Sequence, residues 1–124
     1  MSDPIDNDLP ILNMSQIEDL RGLDDGQGQL LASIADAYLA QAPKQIAELK
    51  AHVSAGNFPG IAATAHSFKG SSGNLGASRV ALVCRSLEMA GKGQDGSQLA
   101  PWLAELEQEF AQARSALQAQ LPQA

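Results

Sequence analysis

A lone histidine stands beside one cation and several residues with almost no side chain in the stretch Ala65-His66-Ser67-Phe68-Lys69-Gly70-Ser71-Ser72-Gly73-Asn74-Leu75-Gly76. A neutral imidazole is a good nucleophile toward phosphorus at physiological pH, and the phosphohistidine it forms can pass the group on. If the stretch is helical, Lys69 and Gly70 follow His66 by one turn and Gly73 by two, while Ala63, Ala62 and Pro59 precede it at matching offsets. The histidine then stands on a nearly bare face. Lys69 could neutralise phosphoryl oxygens as they gain charge. Gly70 would clear space, because a phosphodonor aspartate held in a concave site cannot come in line with an imidazole nitrogen past a bulky neighbour. Glycine inside a helix costs about 0.5–1 kcal/mol relative to alanine, so two beside His66 imply close approach of another backbone.

The elements that must carry this stretch are helical. Ala, Leu, Gln and Glu are abundant and aromatics make up 4% of the 124 residues, which favours an all-α chain. Met1 to Pro10 is acidic, contains two prolines and lacks periodicity, so it reads as a flexible lead before a single domain over residues 11–121. Ser15-Gln16-Ile17-Glu18 has capping-box spacing, and Ile17, Leu20 and Leu23 predict a short helix broken by Asp24-Asp25-Gly26. Such a helix is too short to stand alone and is expected to lid one end of a bundle. From Gln27 to about Ala55, Leu31, Ile34, Ala35, Tyr38, Ala42, Ile46, Leu49 and Val53 recur at core-facing spacing. The stripe keeps its phase across Pro43, which predicts a kink and not two helices.

Gly56 should end that helix and Asn57 cap the next, with Pro59 in its first turn. Over Phe58 to Leu75 the core stripe is Phe58, Ile61, Ala65, Phe68, Ser72 and Leu75, and His66 falls about 100° past Ala65, off the stripe and toward solvent. Val80, Val83, Cys84, Leu87 and Ala90 mark a fourth helix, and Gly91-Lys92-Gly93-Gln94-Asp95-Gly96 reads as a turn. The last helix, to Leu121, shows Leu99, Leu103, Leu106, Phe110, Ala113, Leu117 and Leu121 on one side and Glu105, Gln108, Glu109 and Gln112 on the other. The expected architecture is an antiparallel up-down-up-down four-helix bundle with a short N-terminal lid helix.

With these residues in view, the chain resembles the histidine-containing phosphotransfer (HPt) domains of bacterial two-component phosphorelays. The resemblance is carried by His66-Ser67-Phe68-Lys69-Gly70-Ser71, by Asn74-Leu75-Gly76-Ala77 and by Leu87-Glu88, and extends from about Leu12 to Leu121. It implies that His66 accepts a phosphoryl group on Nε2 from the aspartate of one receiver domain and donates it to another. The receivers would belong to a hybrid sensor kinase, a response regulator or both. It also implies that Lys69 neutralises the phosphoryl charge, that Gly70 permits docking, and that the divalent metal belongs to the receiver, with no cofactor or metal in this chain. Many relatives steady the other ring nitrogen with a glutamine on the following helix. Here the residues opposite His66 are Arg85, Glu88 and Met89, so Glu88 is the candidate for orienting His66, and Arg85 or Met89 line the groove. The docking surface is expected at Ala62, Ala63, His66, Lys69, Gly70 and Gly73, with a contribution from the first helix.

Charge supports an anionic ligand and argues against others. The formal net charge of −6 disfavours sequence-independent nucleic-acid binding. Yet no acidic residue lies between Glu48 and Glu88, where Lys50, Lys69, Arg79 and Arg85 all fall. That leaves the middle of an acidic chain positive, a field suited to a phosphoryl group. No apolar run could span a membrane, and the polar N-terminus is no signal peptide. One cysteine, Cys84, forbids an internal disulfide and fits a reduced, cytoplasmic setting. A monomer is expected, since a homodimer burying the bare face would defeat its use.

Three other readings compete. A histidine kinase dimerisation domain usually has an acidic residue after its histidine and an ATP-binding domain beyond; Ser67 follows here, and the remaining stretch is too short. The chain is therefore read as a phosphotransfer protein and not as an enzyme that phosphorylates itself from ATP. A helical adaptor would bind receivers without accepting phosphate. Metal binding by His52, His66 and Cys84 fits no recognised ligand spacing. The remaining conspicuous residues read as structural: His52 and the Glu105, Glu107 and Glu109 cluster as solvated, Cys84 as core, and Trp102 as boundary packing.

Overall fold

The computed structural model describes residues 9–23 and 28–121. The lead up to Asp8, the expected break at Asp24-Asp25-Gly26 and the expected helix start at Gln27 lie outside the described residues. The described chain is all helical: α1 spans Met14–Gly22, α2 Gln29–Ala55, α3 Phe58–Asn74, α4 Ser78–Lys92 and α5 Leu99–Gln120. Each of α2 to α5 packs against two of the others, α2 with α3, α3 with α4, α4 with α5 and α5 with α2, closing a four-helix bundle. Tyr38, Phe68 and Phe110 meet across its middle with ring centroids 5.9–6.3 Å apart. The Tyr38 hydroxyl, whose pKa burial raises, is satisfied by Ser72 Oγ at 2.8 Å, which explains a serine on the buried stripe of α3.

The apolar spacings are those of the buried faces. Leu31, Ala35, Tyr38, Ala42, Ile46 and Leu49 are buried along α2, which runs as one helix with Pro43 inside it. Ile61, Ala65, Phe68 and Ser72 are buried along α3, and Val80, Val83, Cys84, Leu87 and Ala90 along α4. Asn57 caps α3 through its side chain, accepting from Gly60 N at 3.0 Å. Gly56 takes the left-handed conformation, φ 66°, that ends α2.

α1 lies across one end of the bundle. Gln16 Nε2 donates to the carbonyls of Gly73 and Asn74 at 2.8 and 2.9 Å, satisfying terminal acceptors of α3. Arg21 does the same at the end of α5, donating to Gln120 O at 2.9 Å and to its side chain at 2.7 Å. The cap of α1 is Asn13, not Ser15 as the capping-box spacing suggested. The reason is tertiary: Asn13 N donates to Gly76 O at 2.7 Å, fixing the entry of the helix two residues earlier.

Three further expectations are corrected. Gly91 is not in a turn but buried inside α4, because a Cβ there would lie 2.7 Å from Ala62 N; glycine lets α3 and α4 approach. Glu109 is not solvated; it is buried and pairs with Arg79 at 3.2 Å, while Glu107 pairs with Lys50 at 3.1 Å. His52 is half-buried, with Nδ1 3.2 Å from Asn57 Nδ2 and its ring over Gly60, where a Cβ would collide with it. Among the described residues, no helix is long and apolar enough to cross a membrane.

Candidate functional site

His66 projects from the middle of α3, and its position off the buried stripe leaves the side chain 69% exposed. One ring nitrogen is held nonetheless. Nδ1 lies 2.9 Å from Oε2 of Glu88, which reaches across from α4 and is itself only 4% exposed. Glu88 also takes a hydrogen bond from Lys69 Nζ on Oε1 at 2.5 Å, and Lys92 Nζ stands 3.1 Å from Oε2. A carboxylate this buried is stable only when its charge is paired. The Lys69 ammonium, chiefly, with Lys92 and His66, holds the Glu88 carboxyl down to about 2 against the opposing effect of burial.

That ionisation fixes the imidazole. An ionised carboxylate only accepts hydrogen bonds, so Nδ1 must be the donor, and in the neutral ring Nε2 then carries the free lone pair. The side chain therefore presents a nucleophilic nitrogen outward with a negative charge behind the ring. Lys69 sits one turn along the same face and is 34% exposed. Its ammonium is within reach of solvent as well as of Glu88.

The small residues around His66 divide into two kinds. At Gly70 and Gly73, both exposed, a Cβ would meet nothing within 4 Å. Among the described residues no other backbone approaches them, and the bare face is open. Ala63 is exposed beside them, whereas Ala62 is half-buried against Gly91. Of the residues opposite His66, Arg85 and Met89 are exposed, with Met89 59% so, and neither takes the place of Glu88 behind the ring.

Sequence reasoning missed two features. Lys92 joins the site because it lies one turn after Glu88 on α4; that spacing was readable once Glu88 was singled out. The second is an open groove of about 600 Å³ between α2 and α3, adjoining His66 and lined by Ile34, Tyr38, Gln41, Gln45, Ser67 and Ser71 among others. Gln45 Nε2 donates to Ser67 Oγ at 3.1 Å across it. No spacing within one helix could show it, because it is made by two. Cys84, by contrast, is buried, and burial pushes its thiol up to about 12, which makes it an inert packing residue. Among the described residues, no three His, Cys, Asp or Glu side chains are grouped to hold a metal.

The family model described as Hpt domain matches residues 33–116. Histidine-containing phosphotransfer protein B from Pseudomonas aeruginosa superposes with a TM-score of 0.83 at 25% identity, over 89% of this chain and 93% of that one. A histidine-containing phosphotransfer protein from maize superposes with a TM-score of 0.78 at 25% identity, over 89% of this chain and 82% of that one. No curated protein sequence matches the chain.

Proposed function

Because the chain belongs to the Hpt domain family, whose members carry phosphoryl groups in phosphorelays, we propose that His66 is its phosphoryl acceptor and donor. It takes the group from the aspartate of one receiver domain and passes it to another. The observation that carries this reading is the exposed His66 ring whose Nδ1 is held by the buried Glu88 carboxylate at 2.9 Å. In the forward step the Nε2 lone pair forms the N–P bond while the bond from the aspartyl oxygen to phosphorus breaks. The released electron pair stays on the receiver's carboxylate. Nδ1 keeps its proton throughout, so the phosphorylated ring is a cation that Glu88 balances, and donation reverses each change. No base has to remove a proton.

Lys69 supplies positive charge to the phosphoryl oxygens, and Gly70 and Gly73, with Ala62 and Ala63, give the receiver room to bring its aspartate in line. The groove beside Tyr38 and Ser67 extends the docking surface onto α2. A divalent metal acts from the receiver, and the protein works as a cytoplasmic monomer, leaving the face of α3 free. The test is phosphotransfer from a panel of phosphorylated receiver domains. Wild type should take an acid-labile, alkali-stable label that His66→Gln does not. Equal labelling of that variant, or receiver binding without any label, would replace this reading with another acceptor or with an adaptor.

A further inference from the structure

Glu88 serves three donors with two oxygens, and the sharing is uneven. Oε1 is occupied by Lys69 Nζ at 2.5 Å; Oε2 faces both His66 Nδ1 at 2.9 Å and Lys92 Nζ at 3.1 Å. A phosphoryl group on Nε2 competes for Lys69, because it brings about two negative charges and three strong acceptor oxygens one turn from that ammonium. When Lys69 turns outward, Oε1 loses its partner. Lys92 is then the cation left on the carboxylate, and it sits on the oxygen that already touches the ring.

We propose that Lys92 is a positioning residue for the phosphorylated state: it keeps the Glu88 carboxylate on His66 Nδ1–H once Lys69 has been drawn to the phosphoryl group. The proposal rests on His66 being the acceptor. Before transfer the carboxylate is anchored from α3 by both Lys69 and His66, so loss of Lys92, 63% exposed and on the same helix as Glu88, still leaves two anchors in place. After transfer the anchors are His66 from α3 and Lys92 from α4. With a side chain only 4% exposed, Glu88 has little access to water in place of the lost ammonium. A carboxylate without that second anchor is free to rotate away from a ring whose positive charge it should balance.

Specific dependence on the phosphorylated state separates this from a merely structural role. The protein, with 15N-labelled histidine, is phosphorylated with phosphoramidate, and the His66 ring resonances are recorded before and after for wild type, Lys92→Gln and Lys92→Arg. Transfer of the label to a receiver domain is timed for each. Lys92→Gln should leave the Nδ1 resonance of the unphosphorylated ring unchanged, move it in the phosphorylated ring, and slow transfer by about threefold to fivefold, the effect open to an exposed ion pair. Lys92→Arg should restore both. The proposal is overturned if Lys92→Gln matches wild type in the phosphorylated state, if it shifts the ring equally in both states, or if arginine fails to rescue. Wild-type His66 that takes no label overturns the acceptor reading and this proposal together; a labelled wild type with an indifferent Lys92→Gln overturns this proposal alone.

Discussion

Gly91 of α4 sits so close to Ala62 of α3 that a Cβ on it would lie 2.7 Å from the Ala62 nitrogen and 2.9 Å from the Phe58 carbonyl oxygen. These are backbone atoms and cannot rotate aside. His66 is one turn beyond Ala62, and Glu88 one turn before Gly91, so the contact sets the spacing at which Glu88 reaches the imidazole. Gly91→Ala should therefore push the helices apart and destabilise the fold by about 1–3 kcal/mol, the usual range for overpacking. Urea denaturation measures the loss. A variant as stable as wild type would mean that the α3–α4 pair can relax without strain.

Gly70 is the opposite case. Its missing Cβ faces open space, and none of the described residues needs the clearance. Gly70→Gln should raise stability by about 0.5–1 kcal/mol through helix propensity. It should also obstruct the receiver and slow transfer to and from His66. Denaturation and transfer kinetics on the same preparation check both signs. Wild-type transfer rates in the stabilised variant would end the clearance argument.

Two glycines on neighbouring helices thus have different causes, and from the sequence only Gly70 reads as helical, since Gly91 reads as part of a turn. What was legible were the features that depend on a single helix: the apolar spacings of α2 to α5, the Asn57 cap, and the position of His66 off the buried stripe. Glu88 could be placed opposite His66 because an antiparallel pair has a simple register. Other features made between elements were not legible. Glu109 looked solvated because its burial depends on Arg79 from α4. Asn13 displaced Ser15 as a cap because of a bond to Gly76. Lys92 entered the site only through a carboxylate it shares with two residues of α3.

Lys69 carries two duties that one substitution separates from the nucleophile. It pairs with Glu88 and is the cation nearest to His66 along α3, where the proposed phosphoryl group would stand. Lys69→Ala leaves Nδ1 held by Glu88, which keeps Lys92, so His66 should still be labelled slowly. Transfer should fall by about 10²–10³-fold, as when one preorganised charge-stabilising donor is removed. Rapid-quench kinetics with a phosphorylated receiver measure the drop. Normal rates would remove Lys69 from the mechanism.

The Glu88 carboxyl, held at about 2 instead of 4.5, gives stability a pH dependence whose sign can be worked out. Between those values the unfolded chain binds a proton that the folded one does not, so stability falls as pH falls. The contribution is complete above 4.5 and lost on acidification toward about 2. Glutamine at this position keeps an acceptor for Nδ1–H but has no proton to gain. The offset between wild type and Glu88→Gln at neutral pH can take either sign, since replacing a buried charge also removes its desolvation. The slope cannot. Stability curves from urea denaturation should run parallel at neutral pH and part from parallel below 4.5, with wild type losing stability faster: they converge if wild type starts the more stable and diverge if it starts the less stable. Curves parallel through the whole acid range would show that Lys69, Lys92 and His66 do not hold the Glu88 carboxyl below its ordinary value in the folded protein.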